Sequence, residues 1–274
     1  MKALAFELSK GKVEIPSFPE VTSRIQRILR DANVPTDKVV RVIGSEPVLT
    51  ARVLQISNSV AFNPNGRKIV ELRTAVMRLG FDMLRSATMA FAVEQLRRAK
   101  GMAHLQKPLH SLWQRSVQVA ALAYVISKRY SAINCDTALL SGMLHSVGKL
   151  YILSRANEFP GLIEDNDAYQ TIVADWHANV AKAVLENWDI ADDVVAAVHD
   201  YEDLDRDPRG PVTLTDILSV ATVCARFHPD AESAAQHIGR SRVGAKLQLK
   251  AEDMQCLLAE STEEVQTLRE ALSG

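Results

Sequence analysis

The chain has 274 residues, 47% hydrophobic and 24% charged, enough for one large domain or two smaller ones. A formal net charge of −1 and a pI near 6.7 remove any general electrostatic case for nucleic acid or an anionic membrane. Cys135, Cys224 and Cys256 are far apart and in no metal-ligand spacing, no run reaches the ~18 apolar residues of a membrane span, and the N-terminus lacks a secretory pattern. The expectation is a soluble cytoplasmic protein, with no nucleic-acid and no membrane partner.

Periodicity favours helix almost throughout. Residues 1–15 are ambiguous between a short strand and an arm. Ser17 and Glu20 are spaced as a capping box, with Pro19 early in the turn, ahead of a helix lined by Val21, Ile25, Ile28 and Leu29. Thr36 or Asp37 can cap a second helix carrying Val39, Val40 and Ile43, which Gly44 ends. Pro47 opens a third, which runs out near Asn58-Ser59. A turn-rich loop covers 63–68. A short helix follows, with Gly80 placed as its C-terminal cap, and then a longer one over 81–99. Two short helices around Gly44 also admit a helix–turn–helix reading, in which Arg52 and Gln55 would be the exposed base readers; without a basic field this reading is weak.

A boundary falls near Lys100-Gly101 or Pro108, and a long helix covers about 110–130. The stretch 138–154, ALLSGMLHSVGKLYILS, is apolar on most sides and reads as one central helix. On it Ser141, His145, Gly148, Lys149 and Ile152 share a face. Helices over 168–188, 191–202 and 213–227 follow, and an amphipathic tail from about 250 is expected to dock on the body or on a partner.

His145, His177 and His199 all lie on helices of the second half. A lone histidine on an apolar stripe is usually a hydrogen-bonded core residue, but helical bundles do build metal sites from inward side chains. A hydrolytic metal site also needs carboxylates to anchor the ion and leave an activated water.

The runs IPSFPEV, VIGSEPVLTARVLQISNSVAF, LRTAVMRLG, LWQRSVQVAALA and SGMLHSVGKLYIL occur in this order. Together they resemble the HDOD domain, a divergent and largely non-catalytic branch of the HD metal-dependent phosphohydrolases. The resemblance covers residues 14–205. It implies an all-α protein in which a helical N-terminal subdomain (14–100) packs on an HD-like helical bundle (101–205), with a C-terminal helical extension over 206–274.

Active HD enzymes hold metal with a histidine, an adjacent His-Asp pair and a later aspartate. By resemblance those positions are Arg115, the pair His145-Ser146, and Thr222, so only one histidine is kept. Related two-metal members add histidines where His177 and His199 stand. Losing both carboxylates leaves neutral imidazoles, and Arg115 and Lys149 add fixed positive charge, which makes a poor cation site and a plausible anion site. Two readings stay open. Either Arg115 and Lys149 pair with acidic groups such as Asp175 or Asp200 in a vestigial site, or Arg115, His145, Ser146, Lys149, His177, His199 and Thr222 receive a phosphate-bearing signal such as a cyclic dinucleotide. Asn58 and Ser59 match the family's Asn-Ser pair and are expected to pin the end of the third helix. The resemblance implies a stand-alone, non-enzymatic module of bacterial signal transduction, with no cofactor, no bound metal and a protein partner. That partner is expected in the groove between the two halves or at the tail helix. A phosphohydrolase with altered ligands is the competing class.

Overall fold

The computed structural model describes residues 20–31, 33–59, 62–64, 66–97, 105–156, 166–207, 209–250, 252–259, 262 and 266–267, and these form helices with no strand. The expected capping box at Ser17 and the arm over 1–15 lie outside the described residues.

The N-terminal half comprises α1 (Glu20–Leu29), α2 (Thr36–Gly44), α3 (Pro47–Ser57) and α4 (Leu72–Arg97). Neither Thr36 nor Asp37 caps α2: the chain enters through extended Pro35, which places both residues inside the first turn, and Asp37 instead pairs with Arg73 of α4. The two helices expected around Gly80 abut without a loop. Gly80 takes φ 74°, a left-handed conformation that costs glycine little, and so bends α4 into two rods. The first rod carries Arg73. From the second, Arg85 reaches the Leu29 carbonyl of α1 at 2.6 Å and Ser86 the Asp136 carbonyl at 3.1 Å. This second rod joins the halves, helped by an ion pair between Arg30 and Asp189.

Asn58 ends α3 as expected. Its amide donates to the Leu54 and Ile69 carbonyls at 2.8 and 2.7 Å and accepts from the Ile69 N–H at 2.7 Å, while the Ser59 hydroxyl closes on Ile56 at 2.7 Å. One side chain thus caps the helix and holds the segment leading to α4. Arg52 is only 6% exposed, so the helix–turn–helix reading loses one of its two base readers.

The second half comprises α5 (Gln106–Tyr130), α6 (Cys135–Leu144), α7 (Val147–Ala156), α8 (Asn166–Asn187) and α9 (Asp192–Asp200), followed by α10 (Leu214–Phe227), α11 (Ala231–Gly239) and α12 (Arg242–Leu247). Helix α6 is the central element: it touches α4, α5, α9 and α10, and its Ala138, Leu139, Met143 and Leu144 are buried. It comes so close to α5 that a Cβ on Gly142 would strike the Ala120 backbone.

The stretch 138–154 is not one helix. It breaks at His145-Ser146 into α6 and α7. His145 turns its Nδ1 back onto the Gly142 carbonyl at 2.7 Å, and the Ser146 hydroxyl is held by Ser116 of α5 at 2.5 Å. The face read across the break is split accordingly. Ser141 bonds its own helix at the Thr137 carbonyl, and Gly148 lies against the His177 carbonyl of α8, where a Cβ could not fit.

The boundary expected at 205 does not coincide with a break in packing. Helix α10 packs on α5, α6 and α9, with Leu214, Ile217, Leu218, Val220 and Ala221 buried. Thr213 and Asp216 cap it reciprocally. Asp216 is almost fully buried and binds Arg206 at 3.1 Å and Lys246 at 2.7 Å, which fastens α12 to α10. Farther on, Met254, Leu257 and Leu258 are buried, with the Met254 sulfur 3.5 Å from Cys224, so residues 252–259 dock on the body.

Candidate functional site

Four parts of the second half leave a cavity of about 350 Å³ between them. Helix α5 brings Arg115. The α6–α7 junction brings His145, and Lys149 follows one turn later on α7. The end of α9 brings Tyr201 and Glu202. Helix α10 brings Thr222, Val223 and Arg226, with His237 of α11 beside them.

Glu202 is the polar hub of one wall. Its Oε1 accepts from Lys149 Nζ at 2.9 Å and from the Tyr201 hydroxyl at 2.9 Å; its Oε2 accepts from His177 Nε2 at 3.0 Å. The hydrogen bond from His177, ahead of the charge of Lys149, holds its carboxyl well below the ordinary carboxylate range. Burial pushes the Tyr201 phenol well above its usual value, so it remains a hydroxyl.

His145 is buried, and burial pushes its imidazole down to about 3, with Lys149 and Arg115 adding to the effect. It is therefore neutral at pH 7. Its Nδ1 carries the proton that the Gly142 carbonyl accepts, which leaves Nε2 as an acceptor. The ring stands edge-on to Tyr201, with centroids 5.7 Å apart.

The opposite wall has a different character. Arg115 Nη1 donates to the Ala225 carbonyl at 2.7 Å. Burial, and then the facing charge of Arg226, push Arg115 down from its ordinary value. Arg226 is exposed and lies 5.7 Å over the Phe227 ring. Among the described residues neither guanidinium has a carboxylate partner.

Of the residues expected in the site, Arg115, His145, Lys149 and Thr222 line the cavity. His177 stands behind Glu202, buried. Ser146 faces Ser116 rather than the cavity. His199 is elsewhere, partly exposed, bonded to Asp200 at 2.5 Å and to Asn179 at 3.3 Å. The acidic partner of Lys149 is Glu202, not Asp175 or Asp200, because α9 ends in a turn that carries Glu202 over α7. Helical spacing puts Tyr201 on the inner face of its helix without assigning it to the site, and sequence reasoning missed Glu202, Arg226 and His237. Arg226 had a signal, lying one helical turn after Thr222 and so on the same face. Glu202 had none, since it opens a charged run that reads as a solvated loop.

The HD resemblance implies a metal ion near His145, and the residues present do not fit one. Ser146 and Thr222 offer neutral hydroxyls, the latter turned onto the Ser219 carbonyl at 2.8 Å. His145 offers a single nitrogen, and Glu202 is already shared among three donors. Arg115, Lys149 and Arg226 add positive charge where an ion would need ligands. Among the described residues no group of three or more His, Cys, Asp or Glu side chains could hold a metal ion.

Comparison with solved structures defines the class first. The fold is similar over nearly its whole length to a candidate metal-dependent phosphohydrolase from Shewanella amazonensis SB2B (TM-score 0.80, 22% identity, 98% of this chain and 96% of that one). It is also similar to an HDOD domain protein of unknown function from Geobacter sulfurreducens (TM-score 0.70, 22% identity, 99% and 96%). A candidate signal transduction protein from Marinobacter aquaeolei VT8 shares the fold too (TM-score 0.65, 21% identity, 97% and 61%). At these identities the likeness shows the fold, an all-helical bundle of HD type. The family model for the HDOD domain matches residues 15–204, and the chain belongs to that family. A curated relative, an uncharacterized protein from Treponema pallidum (strain Nichols), is 22% identical over 252 residues; the chain spans 47% of that relative's length. The family match ends before Thr222, Arg226 and His237, so part of the cavity wall comes from residues beyond it.

Proposed function

We propose that this HDOD chain is a non-enzymatic regulatory module of bacterial signal transduction that acts by binding a signal ligand or a protein partner. The observation that carries this reading is the composition of the cavity. Where an HD enzyme would gather carboxylates around a metal, this chain has Arg115, Lys149 and Arg226, and the one lining carboxylate among the described residues, Glu202, is already neutralised. Such a site can hold an anion but lacks the carboxylate set that would anchor a metal-activated water. Names among its structural relatives support the setting: one is a candidate signal transduction protein, and another, with TM-score 0.50, is the MmoQ response regulator from Methylococcus capsulatus str. Bath. Among the described residues no helix is long and apolar enough to cross a membrane, in keeping with a module that works in the cytoplasm.

The competing reading, a phosphohydrolase with altered ligands, makes the opposite forecast for one experiment. Metal analysis of the purified protein, with phosphoester hydrolysis assayed in added manganese, iron or zinc, should give no stoichiometric metal and no turnover. Stoichiometric metal that disappears in His145→Ala, together with hydrolysis, would overturn the proposal.

A further inference from the structure

We propose that the cavity is a receptor site for a phosphate monoester on a small polyol body, such as a sugar phosphate or a nucleoside monophosphate, with the phosphoryl group held between Arg115 and Arg226. This deepens the regulatory reading and rests on it.

The cavity carries surplus positive charge. Among the described residues Arg115, Lys149 and Arg226 line the cavity against one carboxylate, Glu202, and Lys149 is matched to it at 2.9 Å. Two guanidinium charges remain, with no acidic partner among the described residues. The C-terminal end of α10 attracts cations, and Arg115 does bond its Ala225 carbonyl. That end carries only about half an elementary charge, however, so it can account for one guanidinium in part and not for two. A phosphate monoester carries about −1.5 to −2 at pH 7 and matches the remainder. A phosphodiester, with about one negative charge, would leave a guanidinium unmatched. Planar N–H forks on two sides suit the tetrahedral oxygens of a phosphoryl group.

The cavity's shape and hydrogen-bonding character fit the same ligand. About 350 Å³ lies at the lower end of small-ligand pockets, which run from about 300 to 1,000 Å³. That is room for a phosphoryl group and a small body. The neutral His145 offers Nε2 as an acceptor, because its proton is committed to the Gly142 carbonyl. An acceptor in an otherwise cationic cavity calls for a ligand hydroxyl. Leu204 and Val223 supply apolar wall for the carbon skeleton.

Calorimetry on the full chain in EDTA at low salt tests the inference with named probes: ribose 5-phosphate, adenosine 5′-monophosphate, ribose, adenosine, inorganic phosphate and a cyclic dinucleotide. At least one of the two monoesters should saturate and bind more tightly than inorganic phosphate and the dinucleotide, while ribose and adenosine give no heat. Arg115→Gln and Arg226→Gln should each weaken that binding at least tenfold. Arg115→Lys serves if the glutamine variant does not fold, and should weaken binding by losing the fork while keeping the charge. The inference is overturned if neither monoester binds, if inorganic phosphate or the dinucleotide binds better than both, or if affinity is unchanged in the arginine variants. Hydrolysis of a bound ester would instead overturn the non-enzymatic reading and leave the binding inference standing.

Discussion

The two walls of the cavity handle charge in opposite ways. On the α7–α9 wall, Lys149, Tyr201 and His177 converge on Glu202, and every polar group in the set has a partner within 3.3 Å. On the α5–α10 wall, Arg115 bonds the Ala225 carbonyl and feels the charge of Arg226, and neither guanidinium has a carboxylate partner among the described residues. A satisfied network is what folding alone would produce, since an unpaired charge is costly. Arg115 has a backbone partner and Arg226 is exposed to solvent, but neither has a carboxylate partner among the described residues, and this surplus of positive charge, not the histidines, supports the functional reading.

The largest expected effect comes from disturbing the α7–α9 wall mechanically, at its packing on α8. Gly148→Ala would drive a Cβ into the His177 carbonyl and push α7, with Lys149, away from α8. A loss of about 3 kcal/mol is expected in chemical denaturation, at the upper end for overpacking because the obstacle is backbone. Little or no change in the denaturation midpoint would mean that α7 is free to shift and that the saturated wall is softer than it looks.

Acid acts through His145. Its folded value, about 3, lies below the ordinary 6.5, so between those values the unfolded chain binds the extra proton and stability falls as pH falls. The slope approaches but does not exceed about 1.4 kcal/mol per pH unit within that window. His145→Gln should flatten the stability profile between pH 6 and 4, and an unchanged profile would show that the imidazole is not held neutral. Glu202 titrates lower still: its carboxyl is depressed, so its contribution is present above about 4.5 and is lost as pH falls through its folded value.

Glu202→Gln tests the saturated wall directly. It leaves Lys149 and His177 without their carboxylate, and should cost about 1–2 kcal/mol at pH 7 once the half-exposure of Glu202 is allowed for. Arg226→Gln tests the other wall and has the smallest effect, with the opposite sign. Removing one of two facing cations should raise the unfolding temperature of the ligand-free chain by about 1–2 °C, since Arg226 is exposed and screened.

The fold was legible where it depended on local pattern. Helical periodicity located α1 to α3, α5 and α8 to α10 to within a few residues, and Asn58 does end α3. The break at His145-Ser146 was not legible, because no glycine or proline marks it; it is held by the Ser116 hydroxyl, thirty positions away in sequence. The site was half legible. Arg115, His145 and Thr222 could be grouped through the family's motif order and Lys149 by its spacing from His145, whereas Glu202 and His237 follow turns whose direction no periodicity encodes. His199 misled for the reciprocal reason. It shares α9 with the approach to Tyr201, yet it faces Asn179 and Asp200 instead of the cavity.

The two walls differ in kind: one has its charges paired, and the other has two guanidinium groups with no carboxylate partner among the described residues. Thermal unfolding of Glu202→Gln and Arg226→Gln, side by side at pH 7 and low salt without ligand, tests this difference most directly. The account predicts opposite signs, with the glutamate variant less stable than the parent and the arginine variant slightly more stable. If both variants lose stability, Arg226 is an ordinary structural residue and the contrast between the walls does not hold.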